Sequence, residues 1–154
     1  MKVNSKMKQL LELRKPEDEL SPMLGAIADA GFTSIEGCYL LSALSSINTN
    51  VSLADFKDRT GYECFINSLH IEDYSSEVIL SQALKFVARI FEVWRSANPS
   101  NALLAIISAD ENSVVVKCHM KRNGEEWLSG DIEGFADAIM SIDSTESWTT
   151  TQTV

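Results

Sequence analysis

Between Ser76 and Ala97 the chain repeats apolar side chains at helical spacing for longer than anywhere else, and this stretch constrains the fold most. Leu80, Leu84, Val87, Phe91 and Trp94 recur at four-three spacing, while Ile79, Ala83, Phe86 and Ile90 widen the stripe. Lys85, Arg89 and Glu92 fall on the opposite face. The spacing predicts a long amphipathic helix whose apolar side needs a core to bury it. Pro99 lacks the N–H to continue the helix and biases Asn98 away from helical geometry.

Past Pro99 the period changes from helical to extended. ALLAIIS (102–108) is a nearly continuous apolar run of the kind found in central strands, and ADEN (109–112) reads as a turn. SVVVKCHMK (113–121) then alternates. Val114, Val116, Cys118 and Met120 face one way, while Val115, Lys117, His119 and Lys121 face the other. Asn123-Gly124 is the best short hairpin signal in the chain. A loop there would pair Arg122 with Glu125, Lys121 with Glu126, Met120 with Trp127 and His119 with Leu128. Ser129-Gly-Asp131 then resembles a helix start, with Ile132, Phe135, Ala136, Ile139 and Met140 as its stripe.

The first half reads as short helices. One spans Lys6 to Arg14 and stops before Pro16; a second starts at Ser21-Pro22 and closes at Gly31. A third, capped by Ser34, would carry Ile35, Tyr39, Leu40, Leu44 and Ile47 and end in NTN at 48–50. Ser52 and Asp55 suggest a capping box for a short helix ending near Gly61. Residues 60–72 fit either a further helix or a short edge strand, with helix preferred. The expected fold is α+β: an N-terminal helical half, one long amphipathic helix, a three-stranded antiparallel meander and a closing C-terminal helix. Residues 1–142 form one domain on this reading, and 143–154 a polar, mobile tail.

Several function classes are disfavoured. At 154 residues the chain is long enough to fold on a hydrophobic core alone. Cys38, Cys64 and Cys118 are odd in number, lie among apolar neighbours and form no C-x-x-C pair, so they read as reduced, buried small hydrophobes. With two isolated histidines they supply no zinc ligand set. The N-terminus lacks the apolar stretch of a signal peptide, and no run reaches the length of a membrane span, so a cytoplasmic protein is expected. A net charge of −9 disfavours nucleic acid and anionic membrane as partners.

No catalytic, cofactor-binding or metal-binding residue stands out, and no cofactor is expected. His119, between Lys117 and Lys121 on the outward strand face, lacks an orienting carboxylate and reads as exposed or packed filler. His70 lies in the ambiguous 60–72 segment. The serines of LLSALSSIN (40–48) have no nucleophile-elbow context, and the glycines form no phosphate cradle. Glu125 and Glu126 are adjacent on a strand and therefore point to opposite faces.

The charge is unevenly placed. Residues 1–122 hold fifteen acidic and thirteen basic side chains, whereas residues 123–154 hold seven acidic and none basic. Glu125, Glu126, Asp131, Glu133 and Asp137 concentrate in one strand and the helix after it, with Glu133 and Asp137 four apart on one helical face. Such a surface suits a basic protein partner, as acidic nuclease inhibitors set their carboxylates against basic groups of their enzymes to give fast association and strong coupling. The run VVVKCHMKRNGEEWLSGDIEGFADAIMSID resembles the terminal hairpin-plus-helix of some bacterial immunity proteins, the small antidotes of polymorphic or contact-dependent toxins. The resemblance implies a tight one-to-one complex with a toxin domain, a nuclease being favoured, and inhibition by occlusion without turnover. The alternative is a small acidic secretion chaperone or adaptor, which would expose apolar grooves and self-associate. The expected oligomeric state is open, with a monomer favoured.

Overall fold

The computed structural model describes the chain apart from residues 16–18, 49, 77, 98–99, 129 and 148–154. Its first elements are strand β1 (Lys2–Val3), helix α1 (Ser5–Leu13), helix α2 (Pro22–Asp29), strands β2 (Phe32–Ile35) and β3 (Cys38–Leu41), and the one-turn helix α3 (Ser42–Ser45). Helix α4 (Arg59–Ile66), strand β4 (Ser68–His70) and helix α5 (Ile79–Ala97) follow. Strands β5 (Leu103–Ala109), β6 (Val114–Met120) and β7 (Ala138–Asp143) complete the chain. Among the described residues, no helix is long and apolar enough to cross a membrane.

The fold is α+β. Five strands form one antiparallel sheet in the order β1-β7-β5-β6-β4, and β2 and β3 form a separate hairpin. The helices lie on one face of the sheet. There α5 buries Ala83, Leu84, Phe86, Val87, Ile90, Phe91 and Trp94 in one cluster with Leu103, Ala105 and Ile107 of β5, Val116 and Cys118 of β6, and Met140 and Ile142 of β7. Stripe and sheet are therefore the two halves of one core, as the change of period requires. At roughly 1.5–3 kcal/mol for each large apolar side chain buried, this interface carries most of the drive to fold.

Helix α1 begins at Asn4, whose side chain accepts from Met7 N at 3.0 Å. Pro22 stands at the first position of α2, and Gly31 at φ 74° turns the chain out of it. Helix α4 starts at Arg59, because Asp58 caps it by accepting from Gly61 N at 2.8 Å. The capping box at Ser52 and Asp55 does form, around a single 3-10 turn (Leu53–Asp55). Residues 60–72 divide between the end of α4 and β4. The helix stops expected at Pro16 and Asn98-Pro99, the NTN terminator at Thr49 and the Ser129 cap lie outside the described residues. So does the expected tail from residue 148; Asp143 itself belongs to β7.

The first part of the expected third helix is instead the β2–β3 hairpin, and only the single turn α3 near its end is helical. Glu36 and Gly37 have φ of 53° and 80°, the paired positive values of a type I′ turn, and Ile35 sits opposite Cys38. The hairpin docks on α5 through aromatic edges: Phe32 and Tyr39 meet Trp94 at centroid distances of 5.1 and 5.2 Å, both near perpendicular.

The expected meander and closing helix are also overturned. The Arg122–Glu125 bridge forms across the Asn123-Gly124 turn, but the strand predicted beyond it does not. The outer edge of β6 is already taken: β4 pairs with Val115–Lys117, Cys118 N donates to Asn67 O, and Met120 N donates to the Glu63 carboxylate at 2.9 Å. No edge remains for Glu126, Trp127 and Leu128 to pair with Lys121, Met120 and His119. The third partner strand is β7, on the far side of β5. Ile139 and Met140 thus lie in a strand buried at every residue, not in a helix. Adjacent apolar residues fit a buried strand and a helix stripe equally well. Only a 3-10 turn (Ile132–Gly134) survives of the predicted helix, with Asp131 accepting from Glu133 N.

Glu72 fixes the start of β6. Its carboxylate accepts from Ser113 Oγ at 2.6 Å, Val114 N at 3.0 Å and the His70 ring at 3.1 Å. Burial alone would raise its pKa, but these hydrogen bonds outweigh burial and hold it at about 2 instead of 4.5. The folded state therefore binds its proton less readily than the unfolded chain. The stability this supplies is complete above pH 4.5 and disappears as pH falls toward 2. Glu72→Gln is expected to flatten that part of a stability-against-pH curve measured by urea unfolding. An unchanged acid limb would show that Glu72 contributes nothing to it.

Candidate functional site

Strands β6 and β7 both run antiparallel to β5 and flank it, so they are parallel to each other and need a crossover between them. That crossover is Lys121–Asp137. It passes over the sheet face opposite the helices and holds little regular structure, a kind of long connection usually kept for function. Leu128 and Ile132 seal its middle against Leu104 and Ile106 of β5 and Ile139 of β7.

Its first residues are fastened by a buried ion pair. Glu63, on α4, has no exposed surface. One oxygen accepts from Arg122 Nη2 and Tyr39 N, each at 2.6 Å; the other accepts from Arg122 Nη1 and Met120 N, each at 2.9 Å. A single carboxylate thus ties β3, β6 and the crossover to α4. Arg122 also donates to Gly37 O at 3.2 Å, and Glu125 accepts from Thr60 Oγ1 at 2.9 Å.

The far end is fastened by Asn4, which is also buried. Its Nδ2 donates to Asp137 O at 2.9 Å and Ile132 O at 3.2 Å, while its Oδ1 accepts from Ile139 N at 3.0 Å as well as capping α1. Glu133 accepts from Ser5 N at 2.9 Å, placing a carboxylate at the positive end of the α1 dipole. Lys6 Nζ donates to Phe135 O and Ala136 O.

Between these anchors, the crossover and the sheet enclose a cleft of about 620 Å³, lined by Leu104, His119, Glu125, Glu126 and Trp127 among others. His119 lines it from β6 and is only 2% exposed. Its Nδ1 lies 2.9 Å from Met120 O, and a carbonyl can only accept, so Nδ1 carries the proton and Nε2 the lone pair. Burial lowers the His119 pKa, which keeps the ring neutral. Among the described residues, Nε2 has no hydrogen-bond partner.

A model described as the "Uncharacterized protein PM0498 family" matches residues 2–153. The chain belongs to that family. It is similar to the Uncharacterized protein PM0498 of Pasteurella multocida (strain Pm70), with 31% identity over 121 residues covering 71% of this chain and 76% of that protein. No solved structure matches the chain.

In this member of the PM0498 family the five predicted partner-binding residues are not the faces of one strand and one helix. Glu126, Asp131, Glu133 and Asp137 are exposed on the crossover. Glu125 is half-buried and turned inward to Thr60. Glu133 and Asp137 do not share a helical face, because no helix is there. His119 is not on an outward face: the crossover covers that face, and β6 is a central strand with no edge for Lys117, His119 and Lys121 to guard. Lys117 instead points its ammonium at Trp127, 5.9 Å from the ring centre, and Lys121 pairs with Asp143 at 3.1 Å.

The sequence reading missed Trp127 and Phe135 as surface residues, the Glu63–Arg122 pair and the role of Asn4. Only Asn4 carried a signal, as an Asn just before a helical stripe. All three cysteines are buried and free, and burial raises each thiol pKa, that of Cys64 to about 12. Among the described residues, no group of three or more His, Cys, Asp or Glu side chains could hold a metal ion.

Proposed function

We propose that the chain binds and neutralises a basic toxin domain, a nuclease by preference, in the cytoplasm and without catalysis, as the immunity proteins it resembles do. One observation carries this reading. The crossover presents four acids, Glu126, Asp131, Glu133 and Asp137, to solvent along with two partly exposed aromatic rings, Trp127 and Phe135. Exposed aromatics serve as interface anchors, and surrounding acids steer a basic partner and fix its register. The anchors at Glu63 and Asn4 fix the two ends of this surface before the partner arrives, which lowers the ordering cost of binding.

The test is co-expression with the domain encoded immediately upstream, followed by a wash in about 0.5 M salt, where the Debye length is roughly 4 Å. Co-elution through the wash supports the reading; separation into two free proteins refutes it. Once a partner is in hand, Glu126→Lys with Asp137→Lys is expected to slow association about tenfold while leaving the urea midpoint unchanged. Equal on-rates would move the interface elsewhere.

A groove of about 690 Å³ favours the secretion-chaperone reading as the second. It is lined by Leu10 and the 79%-exposed Leu13 of α1 together with Ile79 and Leu80 of α5. A dimer in sedimentation would argue for it.

A further inference from the structure

The cleft beneath the crossover has an unequal set of unused hydrogen-bonding groups. Of the cations around it, Lys121 is held by Asp143, Arg122 by Glu63, and Lys117 by Ser68 Oγ and the Trp127 ring. Lys2, at the rim on β1, is the exposed exception. The acceptors are less committed. The His119 Nε2 lone pair has no donor among the described residues, the two bonds from Thr60 to Glu125 both use Oε1, and Glu126 is exposed with no hydrogen bond to another described residue. The Trp127 ring is 48% exposed.

A group that suits this lining has donors, no acceptors, a positive charge and a flat face. Guanidinium has all four: five N–H donors in a planar fork, with a strong tendency to stack on indole. A hydroxyl compound can donate to Nε2 and to the carboxylates, but brings no positive charge to set against them. An anion meets Glu125 and Glu126.

We propose that this cleft receives an arginine side chain of the basic partner, which stacks on Trp127 and donates hydrogen bonds to Glu126 and His119 Nε2. The proposal rests on the reading of the crossover as the docking surface, and names what the partner inserts there. Nε2 is buried in the free chain, so the arginine reaches it only when the residues above move aside. Residues 126–128 can do so. Among the described residues, no backbone hydrogen bond outside helices and strands holds them, and Leu128 and the Lys117–Trp127 contact supply their attachment. His119 then acts as the floor of a specificity pocket, and its tautomer is set in advance by Met120 O.

The test needs no partner. The full-length chain, labelled with 15N, is titrated with a single arginine capped as its N-acetyl methylamide. The ring nitrogens of His119 are followed and assigned against a His119→Phe variant, since His70 is the other histidine. A lone side chain making one stacking contact and two hydrogen bonds is expected to bind in the range of roughly 1–10 mM. It should move the Nε2 resonance in the direction of an acceptor gaining a donor. Capped citrulline has the same shape without the charge and is expected to bind at least about tenfold more weakly, the loss of roughly one charge-assisted contact. Trp127→Ala should abolish the shift and Glu126→Gln weaken it; both residues are exposed, so the fold is retained.

A His119 signal that does not move up to about 100 mM, well above that expected range, overturns the proposal. So does equal binding of citrulline, or a shift produced by capped glutamate instead. Failure here alongside a captured partner would leave the docking surface standing without its arginine. A positive titration with no partner captured would leave the pocket standing without its toxin.

Discussion

Glu63→Gln is expected to cost the fold about 3–5 kcal/mol, the usual penalty for breaking a buried ion pair from one side. The carboxylate takes four hydrogen bonds from three separate parts of the chain. Glutamine is nearly the same size, so packing is unchanged and the effect isolates the charge. Its amide nitrogen would face an N–H of Tyr39, Met120 or Arg122, donor against donor, and Arg122, with 11% of its side chain exposed, would lose its counter-ion. Urea unfolding measures the loss as a fall in midpoint at constant slope. Adding Arg122→Met to Glu63→Gln should recover part of the loss, because it removes the unpaired cation. A single-variant loss below about 1 kcal/mol would mean that water replaces the carboxylate and that the clamp is dispensable.

That clamp also explains which parts of the architecture were legible in the sequence. Helices α1, α2 and α5 and strands β5 and β6 follow from local spacing, because in each the apolar residues facing the core repeat at one period. The β2–β3 hairpin does not, since its Phe32, Tyr39 and Leu41 fit both periods and the deciding Glu36-Gly37 turn is weaker punctuation than Asn-Gly. The error after Gly124 has a different origin. Asn123-Gly124 is a real turn with a real Arg122–Glu125 bridge. What prevents a strand there is Glu63, sixty residues earlier in the chain, standing on the edge that the strand would need. No local pattern contains that information.

The candidate site shows the same division. The acidity of residues 123–137 is plain in the sequence, and four of its five singled-out acids are indeed on the surface. That they share one irregular connection with the exposed Trp127 and Phe135, the first part of which borders a cleft lined by a neutral histidine, depends on the crossover path. The path in turn depends on β7 pairing with β5 instead of coiling.

Asn4→Ala is expected to lose about 3 kcal/mol, and it tests that path directly. The substitution strips the α1 cap, worth about 1 kcal/mol, and leaves Ile139 N, Ile132 O and Asp137 O without their side-chain partner at the buried end of the crossover. Asn4→Asp separates the two jobs. Its carboxylate still accepts from Met7 N and Ile139 N, but can give nothing to the two carbonyls and sets a buried negative charge against them. It should therefore be less stable than wild type at neutral pH, and regain part of the difference in acid, where a protonated carboxyl can donate once. Hydrogen exchange at Ile139, measured residue by residue, should quicken more in Asn4→Ala than exchange in α5, because the anchor is local to β7 and the crossover. Uniform acceleration would show Asn4 acting only on global stability. Selective acceleration would show that one asparagine, four residues into the chain, fixes where the crossover ends and β7 begins.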